Sequence, residues 1–310
     1  PYTTLFRSRG QLVELRAADL RFTAAEAAQF LNDTMALHLD AEAVAVLEER
    51  TEGWIAGLQM AALSMQGRED VAGFIQGFAG THRFIMDYLL EEVLTREPED
   101  VRAFLLQTAI LTRLTGSLCN AVTGGSGGQE MLDRLEQRNL FLMPLDDERR
   151  WYRYHHLFAD LLRARLHKSA SYCAGELLSR AAGWCAREGQ VDAAIGYALI
   201  AQDYERAAGL IASHWHHTAN RGEIETVWAW LDALPEDTIQ ESAPLGLAYC
   251  WVLWLRGQIG AIEPHLAAAE NALDEAAIAD FPELPAHLAA MRSIVARHHN
   301  DFSAAVTFAK

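Results

Sequence analysis

The sequence predicts a mostly α protein in three parts: a helical bundle, a winged-helix domain with a β-hairpin, and a tetratricopeptide-like α-superhelix. Three observations predict it. Apolar residues recur at helical spacing along most of the chain, and Pro is scarce, at 8 of 310 residues. One stretch, 140–155, breaks that spacing with two strand-like runs around a polar turn. From about residue 173 onward a turn motif recurs, with 33 residues from Gly189 to Gly222 and 35 from Gly222 to Gly257.

Composition narrows the classes. Hydrophobic residues make up 51% and charged residues 22%, so the chain can bury a core and is not disordered. A formal net charge of −16 repels phosphate backbones, which makes these residues by themselves a poor nucleic-acid binder. The four cysteines, Cys119, Cys173, Cys185 and Cys250, form no CxxC pair. Neither a zinc knuckle nor a disulfide framework is expected, and a reducing cytoplasm fits. No apolar run reaches the ~18 residues that span a bilayer, and no secretory signal is read. Residues 1–8, PYTTLFRS, translate a string that resembles a common sequencing adapter, and are set aside as an expected artefact. The last residues, from Asp301, run on in a helical pattern with no cap and are expected to leave an apolar face uncovered.

The elements follow in order. Leu12–Leu15 reads as a short strand. Thr23-Ala-Ala-Glu26 is a capping box, with a helix through Ala27, Phe30 and Leu31. A second helix runs from about Ala41 to Arg50, and Gly53 and Gly57 lead into a buried helix ending near Met65. Phe84–Leu94 is expected to be helical. Pro98 suits a helix first turn, and short helices follow at Leu118–Val122 and Gln129–Gln137. Leu140–Leu145 and Trp151–His155 flank the turn 146–150 as a hairpin, and Leu157–Leu166 forms a helix behind it. Three helices and a hairpin make a winged-helix pattern. Gly124–Gly128 lacks the Lys of a phosphate-binding loop and follows no strand, so it reads as a plain loop. In the last part, turn formers at Gly189, Gln202, Gly222, Gly257 and Asn300 each precede the start of a helix. Helix pairs of that period stack with a concave face, although a non-repetitive helical bundle also accommodates so loose a consensus.

Three stretches carry a family resemblance: 9–32 (RGQLVELRAADLRFTAAEAAQFLN), 50–67 (RTEGWIAGLQMAALSMQG) and 134–166 (RLEQRNLFLMPLDDERRWYRYHHLFADLLRARL). In this order and spacing the chain resembles the bacterial MalT-like ATP-dependent LuxR-family regulators, signal-transducing NTPases with numerous domains. The resemblance implies an internal fragment. Residues 9–22 would end the NTPase core, 23–80 would be the helical arm, 81–170 the winged helix, and 171–310 the tetratricopeptide-like repeats. A P-loop would lie upstream and a helix-turn-helix downstream.

The resemblance also implies roles. Glu52–Gly57 is similar to the segment of the arm that lies against the nucleotide base, with Ile55 where that segment has Pro. Trp54 and Ile55 are therefore candidate ADP contacts, though both also read as core. A His at the end of the winged helix holds the ADP β-phosphate in related regulators, which nominates His155 or His156, with His156 preferred. A capping or core histidine is the competing reading. In the repeats, Trp228, Trp230, Trp251 and Trp254 are candidates for a ligand groove, with core packing the simpler role. His214, His216, His217, His298 and His299 lack metal-ligand spacing, and no catalytic arrangement is identifiable. Arg149, Arg150, Arg163 and Arg165 are basic, but Glu130, Asp133 and Glu136 on the candidate recognition helix oppose DNA.

The resulting expectation is a non-enzymatic, cytoplasmic signalling segment with no membrane contact. ATP or ADP is bound mainly by the upstream domain. A small-molecule inducer or regulatory protein binds the repeats, the active form self-associates, and DNA is read only by a downstream domain. Two alternatives stay open: a tetratricopeptide-type interaction scaffold without a nucleotide role, and a signalling NTPase, kinase- or cyclase-linked, with a different output domain.

Overall fold

The computed structural model describes residues 20–65, 70–77, 93–138, 140–169 and 171–308. The adapter-like residues 1–8, the expected strand Leu12–Leu15 and most of the expected helix Phe84–Leu94 lie outside the described residues. The chain divides at Ala174 into two compact units.

The first unit holds both the arm and the winged helix. Helix α1 (Ala24–Gln29) starts at the expected capping box. Thr23 Oγ1 accepts from the Glu26 backbone at 3.3 Å, and Glu26 Oε2 accepts from the Thr23 backbone at 2.9 Å. The chain then widens into a π-helical turn, Phe30–Thr34. Helix α2 (Ala41–Thr51) is capped by Asp40, which accepts from the Ala43 N–H at 2.8 Å. Helix α3 (Ile55–Met65) and helix α4 (Val71–Gly77) complete the arm. Ala27, Leu31, Val44, Leu47, Leu58 and Ala62 form its buried faces.

The winged helix runs through α5 (Glu99–Thr108), α6 (Gly116–Thr123), α7 (Gly128–Gln137), β1 (Leu142–Pro144), β2 (Tyr152–Tyr154) and α8 (His156–Lys168). Pro98 stands at the N-cap position of α5, where its lack of an N–H costs nothing. The strands are antiparallel, with Met143 opposite Arg153, and Tyr152 makes a further bridge to Leu114. They are shorter than the sequence runs, because Asp146 ties off the turn by accepting from the backbones of Arg150 (2.8 Å) and Trp151 (3.2 Å). The buried Tyr154 hydroxyl lies 2.7 Å from Thr108 Oγ1, joining the wing to α5. The glycine-rich loop is a plain connection, and α6 and α7 meet where it ends. There the Gly128 N–H donates to Asn120 Oδ1 at 2.7 Å, and a Cβ on Gly128 would stand 2.4 Å from the Gly116 carbonyl oxygen.

The second unit is entirely helical among its described residues: α9 (Ala174–Arg187), α10 (Val191–Ile200), α11 (Tyr204–Asn220), α12 (Ile224–Asp232), α13 (Glu236–Gln240), α14 (Ala243–Leu255), α15 (Ile262–Asn271), α16 (Glu275–Asp280), α17 (Leu284–His298) and α18 (Phe302–Phe308). All five turn formers read from the sequence, Gly189, Gln202, Gly222, Gly257 and Asn300, have positive φ. Each ends one helix in the left-handed region and turns the chain into the next. The helix pairs α10–α11, α14–α15 and α17–α18 result. The short helices α13 and α16 interrupt an even repeat. Leu247, Cys250, Leu253, Ile262, Leu266, Leu288 and Met291 form the shared core of the later pairs. Phe302 and Val306 are exposed on α18.

The glycine contacts separate close approach from mere helix content. Gly128→Ala should lower stability by about 1–3 kcal/mol, because backbone must move to admit the methyl. Gly196→Ala, in α10 with nothing within 4 Å of its Cβ position, should instead raise stability by about 0.5–1 kcal/mol. Urea unfolding of the two variants checks both signs.

Candidate functional site at the arm–wing seam

The end of α2 and the end of β2 meet in one polar seam. Two consecutive residues with positive φ, Glu52 (52°) and Gly53 (69°), turn the chain out of α2. A Cβ at Gly53 would lie 2.4 Å from the Phe22 carbonyl oxygen, and the Phe22 N–H donates to the Gly53 carbonyl at 2.9 Å. Only Gly combines that φ with that approach. The sharp turn aims Glu52 at the wing.

Glu52 is the electrostatic centre of the seam. Arg153, on β2, grips it with both arms of the guanidinium, Nη1 to Oε1 at 2.7 Å and Nη2 to Oε2 at 2.8 Å. The His156 backbone N–H donates to Oε1 at 3.3 Å, and His156 Nδ1 lies 3.3 Å from the same oxygen. Arg21 Nη1 stands 3.8 Å from Oε2 and its Nη2 lies 3.3 Å from Met143 Sδ. The carboxylate side chain is 8% exposed. Burial pushes its pKa up, but the Arg153 hydrogen bonds and charge, the charge that His155 takes up only in acid, and the His156 N–H outweigh it and bring the group down to about 2.

His155 closes the seam on the apolar side. Its Nδ1 accepts from the Leu157 N–H at 3.3 Å, capping α8, while Nε2–H donates to the Thr51 carbonyl at 2.8 Å. Those partners set the Nε2–H tautomer. Burial holds the imidazole below its ordinary value despite the attraction of Glu52, so it is neutral at pH 7. The Trp54 ring packs edge-on against Phe141 (5.2 Å) and His155 (6.1 Å).

The structure therefore separates the sequence candidates. Trp54 and His155 come together with Thr51, and both His155 nitrogens are engaged inside the protein. A phosphate oxygen would have to displace one of those bonds. The His156 ring is exposed and lies beside them, and Ile55 is half-buried at the start of α3. Glu52 and Arg153, which hold the seam, were not singled out from sequence. They are 101 residues apart, and a lone Glu and a lone Arg carry no local signal.

The second unit offers a different surface. A concavity of about 430 Å³ lies between α11, α14 and α17, bounded by Trp215, His216, Asn220, Phe281, Glu283 and His287. Neither it nor a shallower one of about 510 Å³ near Gly222 and Arg256 is lined by the four tryptophan candidates. Trp230 is buried. Trp228, Trp251 and Trp254 pack half-buried against the core, with the Arg256 guanidinium 4.4 Å above Trp228. Long helices bring these residues onto the core side, which spacing alone left open. No three His, Cys, Asp or Glu side chains among the described residues are grouped to hold a metal ion. No helix among them is long and apolar enough to cross a membrane.

The low pKa of Glu52 makes the seam acid-sensitive in a defined window. A depressed folded pKa contributes stability above the ordinary value of 4.5 and loses it as pH falls toward about 2. The contribution is on the order of 3 kcal/mol at neutral pH. Glu52→Gln should lose most of it and flatten the stability–pH curve between those values. Denaturant midpoints measured from pH 2 to 7 test this; a parallel curve for the variant would refute the assignment.

Comparison with known proteins places the chain. Residues 90–172 match the MalT winged helix domain. The serine/threonine-protein kinase PknK of Mycobacterium tuberculosis is 37% identical over 87% of this chain and 25% of its own length. The HTH-type transcriptional regulators MalT of Yersinia enterocolitica and Klebsiella pneumoniae are 32% and 31% identical, over 94% and 91% of this chain and 32% of theirs. The chain thus spans about a quarter to a third of the length of these relatives. With a matching winged helix at its centre and similarity running through the arm and the helical repeats, the chain is a MalT-like segment.

Proposed function

We propose that this segment is the signalling middle of an ATP-dependent, inducer-responsive transcriptional regulator, coupling nucleotide state and ligand sensing to self-association. The seam carries the reading. A two-armed ion pair and an imidazole–carbonyl bond join the arm to the wing, and such a contact is made or broken as a unit. ADP bound by an upstream nucleotide domain favours the closed seam, with the exposed His156 at the β-phosphate and Ile55 beside the base. Trp54 and His155 hold the turn that presents them. ATP and inducer shift the balance by binding the open form better. The inducer or a regulatory protein occupies the groove beside Trp215, His216 and His287. DNA is read by a further domain, and the segment itself, working in the cytoplasm, carries no catalytic site.

The kinase-named relative favours a second reading, in which the same NTPase switch drives a different output domain. The complete protein distinguishes them. Its purified form should retain ADP, Arg153→Ala should self-associate without inducer, and His156→Ala should lose ADP about tenfold more readily. Nucleotide content and light-scattering mass measure both. A complete protein that binds no nucleotide would leave a helical scaffold instead. Protein phosphorylation without promoter binding would select the second reading.

A further inference from the structure

The groove of the second unit, beside Trp215, His216 and His287, suits one sign of charge. It encloses about 430 Å³, within the range of about 300–1,000 Å³ that holds small ligands. None of its lining residues is Lys or Arg, in a chain of net charge −16. Its single carboxylate is Glu283, in the link between α16 and α17. That residue stands at the N-cap position of α17, yet its side chain makes no capping bond. Its carboxylate has no ion-pair partner among the described residues and is left to face solvent or a ligand.

The walls are flat rings. Trp215 meets His216 edge-on with centroids 5.3 Å apart, His216 meets His287 at 6.1 Å, and Trp251 backs His287 at 6.1 Å. Phe281 is half-buried among the lining residues, and the buried Leu247 and Leu284 give an apolar floor. Asn220 Nδ2 donates to His216 Nδ1 at 3.4 Å, which leaves the Asn220 side-chain oxygen as a second spare acceptor. The helix ends do not reverse the sign. The last turns of α11 present the negative end of a helix dipole, which favours a cation. The starts of α14 and α17 favour an anion, but Pro244 and Pro285 have no N–H to offer there. The Leu284 N–H already donates to the Phe281 carbonyl at 3.0 Å.

We infer that this groove binds a small arylalkylamine, its ammonium beside Glu283 and the Asn220 side-chain oxygen and its flat body against Phe281 and the imidazoles of His216 and His287. An ammonium carries donors and no acceptor, so it matches the spare acceptors, and ring faces attract it further. A carboxylate ligand would meet Glu283 as a like charge, with no guanidinium or ammonium in the lining to offset it. An uncharged ring of the same size would keep the apolar contacts and lose the charged one. This ligand class rests on the proposed role of the groove as the inducer site.

The test is titration of the intact 310-residue chain with 2-phenylethylamine, 2-phenylethanol and phenylacetate at constant ionic strength, following the His216 and His287 ring protons by NMR. The amine should shift those signals saturably and bind more tightly than the alcohol or the acid. Glu283→Gln, checked for an unchanged circular dichroism spectrum, should weaken the amine about tenfold, read by calorimetry, and leave the alcohol unaffected. Phe281→Leu should weaken the amine and the alcohol alike, because both share the ring contact. The proposal is overturned by three results: no saturable shift at millimolar amine, an alcohol or acid that binds as tightly as the amine, or a Glu283→Gln variant that binds the amine like the parent. Binding is read on this chain, and inducer action on the self-association of the complete protein. An amine that binds here without changing that association refutes the inducer role and leaves the ligand class standing.

Discussion

A carboxylate 8% exposed to water is an expensive thing to bury, and the first unit is arranged around making Glu52 tolerable. The cost is offset by geometry rather than by proximity of charge alone. The Arg153 fork meets both carboxylate oxygens, the His156 backbone adds a third donor, and Arg21 adds a more distant charge. Each group comes from a different element: Glu52 from the end of α2, Arg153 from the wing, His156 from the start of α8 and Arg21 from the segment before α1. Removing Glu52 or Arg153 leaves the other partly desolvated and without its two-armed partner, so those two stand or fall together. The arm and winged helix lie within one compact unit.

The same logic explains the division of labour between the two adjacent histidines. A strand-to-helix turn sends neighbouring side chains apart. His155 turns inward, neutral, with one nitrogen capping α8 and the other tying down the last carbonyl of α2. His156 stays at the surface beside the paired carboxylate. An imidazole with both nitrogens used is a structural fastener; an exposed one next to a neutralised carboxylate remains able to meet a ligand. The second unit follows a different economy of form. Its helix pairs are joined by left-handed turns and the later ones share one core, so its concave groove is lined by residues the pairs do not bury.

Much of the architecture was readable in the chain because its causes are local. The Thr23–Glu26 box, Pro98 at a helix start, the Asp146 turn and the five residues that adopt positive φ are each specified by residue type within a few positions, by a side chain or, at the glycines, by the lack of one. The family motifs were local too, above all the hairpin and following helix of the winged domain. Fold class and the order of the described elements therefore followed from the chain read in order, while the family resemblance nominated Trp54, Ile55, His155 and His156. The pairing of Glu52 with Arg153, the exposure that separates His156 from His155, and the groove built from Trp215, His216 and His287 in place of Trp228, Trp230, Trp251 and Trp254 did not. Those depend on which faces meet across distances of tens to a hundred residues. A helix's spacing states that a face is apolar, but only packing decides what that face covers and which buried charge finds its partner.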